Sequence, residues 1–183
     1  APSALMHRSW ITDAPLDVAG PAPVIAASRP WLDPRQASVT FSTLTAGDEV
    51  RLDGYLVLAL PANHHAMGEA LCYLIEDGSA SVLYLTDTGP LPDDAWTALA
   101  GHRADLVLLE ETFGTAEGKG EQHHNLRTFA ETVGRLREAG VADARTRVVA
   151  IHLGHDNPPL ADLRAELAKI GAEALPDGSV IEL

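Results

Sequence analysis

The sequence of 183 residues is poor in cysteine and in long apolar runs, and both shortages restrict what the chain can be. Its single cysteine, Cys72, excludes an intramolecular disulfide and any zinc site built on pairs of cysteines. We expect such a thiol-poor chain in the reducing cytoplasm. No apolar run approaches the roughly 18–20 residues that a membrane helix needs, and the first residues, Ala1 to His7, lack the layout of a signal peptide.

Positive charge is also scarce, since 13 Lys and Arg residues stand against 26 Asp and Glu residues and give a formal net charge of −13. Nucleic-acid backbones and anionic membranes are bound by clustered Lys and Arg. The composition therefore argues against both partners, and against a large RNA substrate in particular. Hydrophobic residues make up 46% of the sequence, which is enough for the sizeable core of one domain over residues 1–183.

Short apolar runs in the first half of the chain predict β-strands. Some alternate apolar and polar residues, as half-buried strands do, whereas Tyr55–Leu60 is continuously apolar and predicts a strand buried on both faces. Asp77-Gly78 predicts the turn of a hairpin, because glycine tolerates the positive φ of such turns. The predicted strands are Val39–Phe41, Glu49–Leu52, Tyr55–Leu60, Leu71–Ile75 and Val82–Leu85.

After residue 90 helical and strand patterns alternate, which together with the earlier strands predicts an α/β fold, a mixed sheet flanked by helices. Asn125 is a predicted N-cap. Helices are predicted at 92–100, 126–136 and 160–170, and strands at Ala104–Leu109, Arg147–Ile151 and Ser179–Leu183. Residues 1–38 are interpreted as an irregular connecting region with one short helix and one strand, and residues 114–122 as a mobile loop.

Polar side chains that can bind a metal ion or move protons follow the ends of several predicted strands. Rigid elements would hold such residues in fixed positions, as a catalytic site requires. Imidazole and carboxylate groups without thiolates suit Zn, Mn, Fe or Ni in a hydrolytic centre. The residues are His64 and His65, Asp87, Glu110, His152 and His155, with His123 and His124 at the start of the long helix.

Simpler interpretations apply to part of this set. A lone histidine at the end of a strand is usually a solvated or capping residue, and we interpret His7 and His102 in this way. For the second member of each pair (His65, His124 and His155) a solvated neighbour is favoured over a role beside a substrate phosphate or around the ligands.

Two motifs that suggest other chemistries are rejected. Asp87-Thr88-Gly89 matches the aspartic-protease triplet, but that enzyme needs a second carboxylate and an all-β frame. Gly118-Lys119-Gly120 is not part of a phosphate-binding Gly-rich motif that follows a strand. Neither motif therefore enters the functional interpretation.

Three segments resemble the metallo-β-lactamase superfamily, and within it the phosphodiesterase branch of RNase Z and phosphoribosyl cyclic phosphodiesterase. They are Leu60–His64, Cys72–Glu76 and Leu83–Thr88. The resemblance implies the αββα sandwich of that superfamily and metal ligands at His64, Asp87 and His152, with Asp87 bridging two ions.

Two further segments point to the same branch. Leu109–Phe113 is similar to the His-Glu-Ala-Thr-Phe segment of RNase Z, and Gln122–Leu126 lies where the branch carries a catalytic histidine at the start of a helix. The resemblance implies that His123 is the general acid for the leaving oxygen and that Glu110 orients it.

One departure from the family pattern is large, because the His-x-His-x-Asp-His motif that supplies most ligands to both metals is absent. We expect the chain to be the C-terminal two-thirds of the family domain, without the N-terminal part. Such a chain would hold one metal ion or none where a complete site holds two, Zn or Mn. It would also associate with another copy or with the missing part, since one face of its sheet would expose apolar surface.

The resemblance implies a metal-dependent hydrolase, a phosphodiesterase that attacks a small or cyclic phosphate ester with metal-activated hydroxide and is incomplete in this chain. Asp87, Glu110 and His123 would be its catalytic residues. Two alternatives remain open. One is a non-catalytic remnant that serves as a binding or assembly module, and the other is a thioester or lactone hydrolase of the same superfamily.

Overall fold

A computed structural model describes residues 11–12, 14–31, 38–64, 68–119 and 121–183. The described residues form a two-stranded sheet and a seven-stranded sheet. The expected α/β class, a mixed sheet with helices packed against it, is confirmed. No helix in these ranges is long and apolar enough to cross a membrane.

The two-stranded sheet comes from the first quarter of the chain. Strand β1 (Leu16–Gly20) pairs in parallel with β2 (Val39–Thr43), and helix α1 (Ala22–Ser28) and a 3₁₀ turn (Arg29–Trp31) follow β1. The predicted helix and strand before residue 38 are thus confirmed. Residues 16–31 are more regular than expected. Strand β1 pairs with a strand 23 residues further along the chain, with Leu16 opposite Val39.

The seven-stranded sheet carries the rest of the chain, and its strands lie in sequence order. The first four strands are antiparallel, and each later strand runs parallel to its predecessor. The strands are β3 (Glu49–Leu52), β4 (Tyr55–Pro61), β5 (Leu71–Glu76), β6 (Ser81–Leu85), β7 (Leu106–Glu110), β8 (Arg147–Ile151) and β9 (Glu173–Ala174). The hairpin between β5 and β6 is closed by the predicted turn, in which Gly78 has a φ of +90°.

Three helices follow the strands of the parallel half: α2 (Asp93–Ala98), α3 (Leu126–Glu138) and α4 (Leu160–Ala168). The predicted N-cap of α3 is confirmed, because the Asn125 side chain accepts a hydrogen bond from the Thr128 N–H at 3.0 Å. The Thr128 hydroxyl in turn accepts the Asn125 N–H at 3.1 Å, which completes a capping box. The start of α3, which carries His123 and His124 just before it, is therefore fixed.

The core lies between the helices and one face of the seven-stranded sheet. Alternate residues of β6 and β7, such as Leu83, Leu85 and Leu109, are completely buried there against Phe129 and Leu136 of α3. On the opposite face of the sheet the alternate residues are more exposed, and Tyr84 retains 36% of its accessible surface. The helices thus cover one face of the sheet, whereas that tyrosine on the other face faces solvent.

The prediction of a last strand at Ser179–Leu183 is wrong. The place beside β8 is taken by Glu173–Ala174, which pair with Val149 and Ala150. The terminal residues lie past this short edge strand, and Val180 is 86% exposed. Val180 and Leu183 stay exposed, so the apolar residues near the end of the chain did not by themselves produce a strand.

Candidate metal centre

The sheet topology brings the predicted site residues to one edge. Strands β4, β6, β7 and β8 all run in the same direction, because β5 is antiparallel to both β4 and β6 and the later pairs are parallel. Their carboxyl ends therefore meet at one edge of the sheet, and each is followed by a polar residue from the predicted set. The residues are His64 after β4, Asp87 after β6, Glu110 at the end of β7 and His152 after β8.

Histidine 123, which precedes α3, lies at the centre of this cluster. Its ring centroid is 4.9 Å from that of His64 and 5.8 Å from that of His152, with which it stacks at 5°. Ligand atoms of His64, Asp87 and His123 all lie within 4.8 Å of one another, and so do those of Glu110, His123 and His152. The structure therefore brings all five predicted site residues together.

Glu110 is the buried end of the cluster, since its side chain is completely inaccessible to solvent. Burial raises the pKa of its carboxyl group, and hydrogen bonds from the Thr112 hydroxyl and from His123 act in the opposite direction. One carboxyl oxygen lies 2.8 Å from Nδ1 of His123 and 3.2 Å from the N–H of Thr88, which donates to it. This carboxyl group therefore holds one imidazole nitrogen of His123 in place.

The other end of the cluster is open to solvent. The Asp87 side chain is 54% exposed and that of His152 is 42% exposed, and Oδ1 of Asp87 lies 3.3 Å from Nε2 of His152. The Thr112 hydroxyl lies 3.0 Å from the other ring nitrogen of His152, Nδ1. The cluster thus extends from the buried carboxyl group of Glu110 to the solvent-exposed pair of Asp87 and His152, which ions from solution can reach.

Both residues of the open pair have strained backbones. Asp87 has a φ of +49° and His152 a φ of +56°, in the left-handed region that residues with a Cβ seldom adopt. Such conformations cost of order 1–3 kcal/mol each and persist where the surroundings impose them, which is often at functional sites. The left-handed residue, two positions after β6 in one case and directly after β8 in the other, sets the direction in which the Asp87 and His152 side chains leave the sheet.

His124 contradicts the interpretation as a solvated neighbour. It is completely buried, with Nδ1 at 2.8 Å from the Thr88 carbonyl and Nε2 at 2.9 Å from the Thr132 hydroxyl. Burial lowers the pKa of its imidazole to about 4, so the ring is neutral at physiological pH. His155 is exposed, as expected, and His65 and His7 lie outside the described residues.

Sequence reasoning gave no role to three polar residues beside the cluster, Glu111, Thr112 and Asn157, although the first two were noted at the end of their strand. Glu111 is completely buried, and burial raises the pKa of its carboxyl group to about 7. Asn157 donates hydrogen bonds to backbone carbonyls after β7. A second carboxylate directly after an apolar strand was the signal for Glu111. Asn157 had none, because the carbonyls of Glu111 and Thr112 that it joins to its own segment lie 46 and 45 residues away.

Most of the chain matches a single protein family. Residues 5–153, which are most of the chain, match the family described as Beta-lactamase superfamily domain. The chain belongs to this superfamily of metal-dependent hydrolases, and the resemblance noted in the sequence is confirmed. No curated protein matches the sequence.

Solved structures of the same fold support this assignment. The metallo-beta-lactamase fold protein YhfI from Bacillus subtilis superposes with a TM-score of 0.75 and 19% identity, over 99% of this chain and 71% of its own. Zn²⁺-bound PqqB from Methylobacterium extorquens has a TM-score of 0.71 and 18% identity, over 98% and 68%. A diphosphatase from the PhnP family has a TM-score of 0.67 and 18% identity, over 93% of this chain and 59% of its own.

These likenesses confirm the metallo-β-lactamase fold, and they do so through structure rather than sequence, because the identities are low. The chain covers only part of each of these proteins, down to 59% of the diphosphatase. The fold implies a divalent metal ion, and the clustered imidazole and carboxylate groups provide the kind of donors that such an ion takes.

Proposed function

We propose that the protein is a metal-dependent phosphodiesterase that acts on a small or cyclic phosphate ester. The observation that carries the proposal is the position of His123, whose Nδ1 lies 2.8 Å from buried Glu110 while its ring also borders His64 and His152. One imidazole thus contacts both a buried carboxylate and the open metal-binding cluster. This is the arrangement that a general acid beside a metal centre requires.

In this proposal His64, Asp87 and His152 hold the metal ion. Two imidazoles and one carboxylate suit Zn or Mn. Oδ1 of Asp87 lies 3.3 Å from Nε2 of His152, and ligand atoms of Asp87 and His64 lie within 4.8 Å of each other. When bound, the ion supplies activation of water and stabilisation of charge on the phosphoryl oxygens. Asp87 and His152 are directed into place by their left-handed backbones.

His123 and Glu110 have different roles in the proton transfer: His123 gives the proton and Glu110 orients the ring. Glu110 accepts hydrogen bonds from the Thr88 N–H and the Thr112 hydroxyl, which hold the carboxyl group in a fixed orientation beside the ring of His123. The Glu110 carboxyl group lies 2.8 Å from Nδ1 of His123, so the other ring nitrogen, Nε2, is the one that can give a proton to the leaving oxygen. Glu110 keeps the ring in this orientation throughout.

Two arguments support a phosphodiester as the substrate. A diphosphatase from the PhnP family shares the fold, and a held proton donor helps most where an alkoxide leaves. The net charge of −13 supports a small substrate over a large RNA, since the chain has little positive charge to offer a polyanion.

The test begins with the metal content of the purified protein by plasma mass spectrometry and with turnover of bis-p-nitrophenyl phosphate in added Zn²⁺ or Mn²⁺. We expect His123→Ala to keep its metal and to lower kcat by about 10²–10⁴-fold on a cyclic diester of an alkyl diol. The loss should be smaller on bis-p-nitrophenyl phosphate, whose leaving group needs little protonation. His102→Ala is the matched control, because His102 lies beside Glu76 at the other end of the sheet.

Two results would contradict the proposal. If His123→Ala lowers kcat equally on both substrates, His123 is not the general acid. If the protein takes up neither Zn²⁺ nor Mn²⁺ at micromolar concentration, this chain has no metal-dependent activity.

A further inference from the structure

Two chain segments meet by backbone contact beside the cluster: residues 111–114 after β7, and residues 152–157 after β8. Glycine allows the contact at two points. A Cβ atom on Gly154 would lie 2.3 Å from the carbonyl oxygen of Thr112, and a Cβ on Gly114 would lie 2.4 Å from that of Asp156. The segments are therefore packed more closely than side chains would permit.

One side chain joins these two segments. The Nδ2 amide of Asn157 donates to the carbonyl oxygens of Glu111 at 3.0 Å, of Thr112 at 3.3 Å and of Gly154 at 3.3 Å. The first two carbonyls belong to the segment after β7 and the third belongs to the segment that carries His152. Asn157 thus spans the junction with a single amide group.

The junction leads directly to His152. Thr112, whose carbonyl accepts from Asn157, places its hydroxyl 3.0 Å from Nδ1 of His152 and also donates to Glu110. His152 itself has a strained φ of +56°, which persists only where the surrounding contacts impose it. The amide of Asn157 holds both the residue that contacts the His152 ring and the turn that follows His152.

We infer that Asn157 is a positioning residue of the candidate metal centre, which fixes His152 relative to Glu110 and His123 by tying the segment after β8 to the segment after β7. The contacts of Asn157 do not depend on the proposed function. The inference that they serve a metal centre rests on that function. Asn157 does not contact the reacting atoms, and it acts through Thr112 and His152.

The experiment compares Asn157→Ala and Asn157→Ser with Asp156→Ala, the matched control from the same turn. Asp156 forms an exposed ion pair with Lys119 and leaves the amide contacts of Asn157 intact. The first readout is the imidazole resonances of His152 in metal-free, histidine-labelled protein, assigned with His152→Gln. The second readout is the Zn²⁺ dissociation constant, measured by competition with a chromophoric chelator.

We expect Asn157→Ala to shift the His152 resonances and to weaken Zn²⁺ binding by about tenfold or more, as loss of groups that orient a ligand does. Asn157→Ser should give smaller changes, and Asp156→Ala none. Should Asn157→Ala fail to fold by circular dichroism, Asn157→Ser carries the same test. Wild-type His152 resonances in a folded Asn157 variant would overturn the inference. If Asn157→Ala shifts the His152 resonances but the wild-type protein binds no Zn²⁺, the inference is supported and the proposed function is contradicted.

Discussion

From the buried carboxyl group of Glu111 we predict how the free energy of unfolding of this protein changes with pH. Neither of its oxygens makes a hydrogen bond of normal geometry in the described part of the chain. Burial raises its pKa from 4.5 to about 7, although the nearby Gly114 N–H and Asn157 amide lower it in part. Glu111→Gln keeps the shape of the side chain and removes its charge.

The sign of the effect follows from which state holds the proton. Between pH 4.5 and about 7 the folded protein keeps a proton on Glu111 that the unfolded chain has lost. The contribution of this group to stability is therefore complete below pH 4.5 and is lost as the pH rises through about 7. At 1.36 kcal/mol for each pH unit, the loss amounts to about 3 kcal/mol.

Urea unfolding of wild type and Glu111→Gln, followed by circular dichroism at pH 4.5, 6, 7 and 8 in EDTA, measures this term. The other carboxyl groups are common to both proteins, so their titration cancels in the difference. We expect the variant to gain about 3 kcal/mol relative to wild type between pH 4.5 and pH 8. The exposed Glu49→Gln controls for loss of one negative charge. Parallel stability curves for wild type and Glu111→Gln would refute the reasoning.

Two other predictions concern the framework of the site. Gly89→Ala should destabilise the protein by at least about 2 kcal/mol in urea unfolding, because its Cβ would lie 2.0 Å from the Glu121 carbonyl oxygen. Gly134 lies inside α3 with open space around it, so Gly134→Ala should instead stabilise the protein by about 0.5–1 kcal/mol. Equal effects of the two substitutions on the free energy of unfolding would contradict the packing argument. Asn125→Ala should cost at least about 1–2 kcal/mol, because it removes the bond from Thr128 and the bonds that the Asn125 amide donates to the Ala116 and Lys119 carbonyls. An unchanged unfolding midpoint would contradict this expectation.

Local patterns determined most of the secondary structure. The predicted strands around Tyr55–Leu60 and Val82–Leu85 lie where the structure has β4 and β6, and α3 begins behind its predicted N-cap. These features depend on side-chain alternation, on turn glycines and on one capping side chain, all of which act between residues close in sequence. The α/β class and the family resemblance follow from the same short segments.

The tertiary structure decided which residues share an environment. His123 and His124 are neighbours in sequence, yet one borders the open cluster and the other is buried between Thr88 and Thr132. The direction of a side chain before a helix depends on the loops packed around it, which no local pattern encodes. The same reason explains the misplaced last strand, because only the free edge of β8 determines which segment can pair with it.

The sequence by itself thus determined the α/β class, most of the strands and helices, and a list of metal-binding residue types at their ends. Only the tertiary structure brought His64, Asp87 and His152 around His123, and only it revealed the buried Glu111 and the Asn157 junction. The physical reason is the range of the interactions involved. Strand and helix patterns arise within a few residues, whereas burial and ligand geometry arise from strand order, which joins residues far apart in the chain.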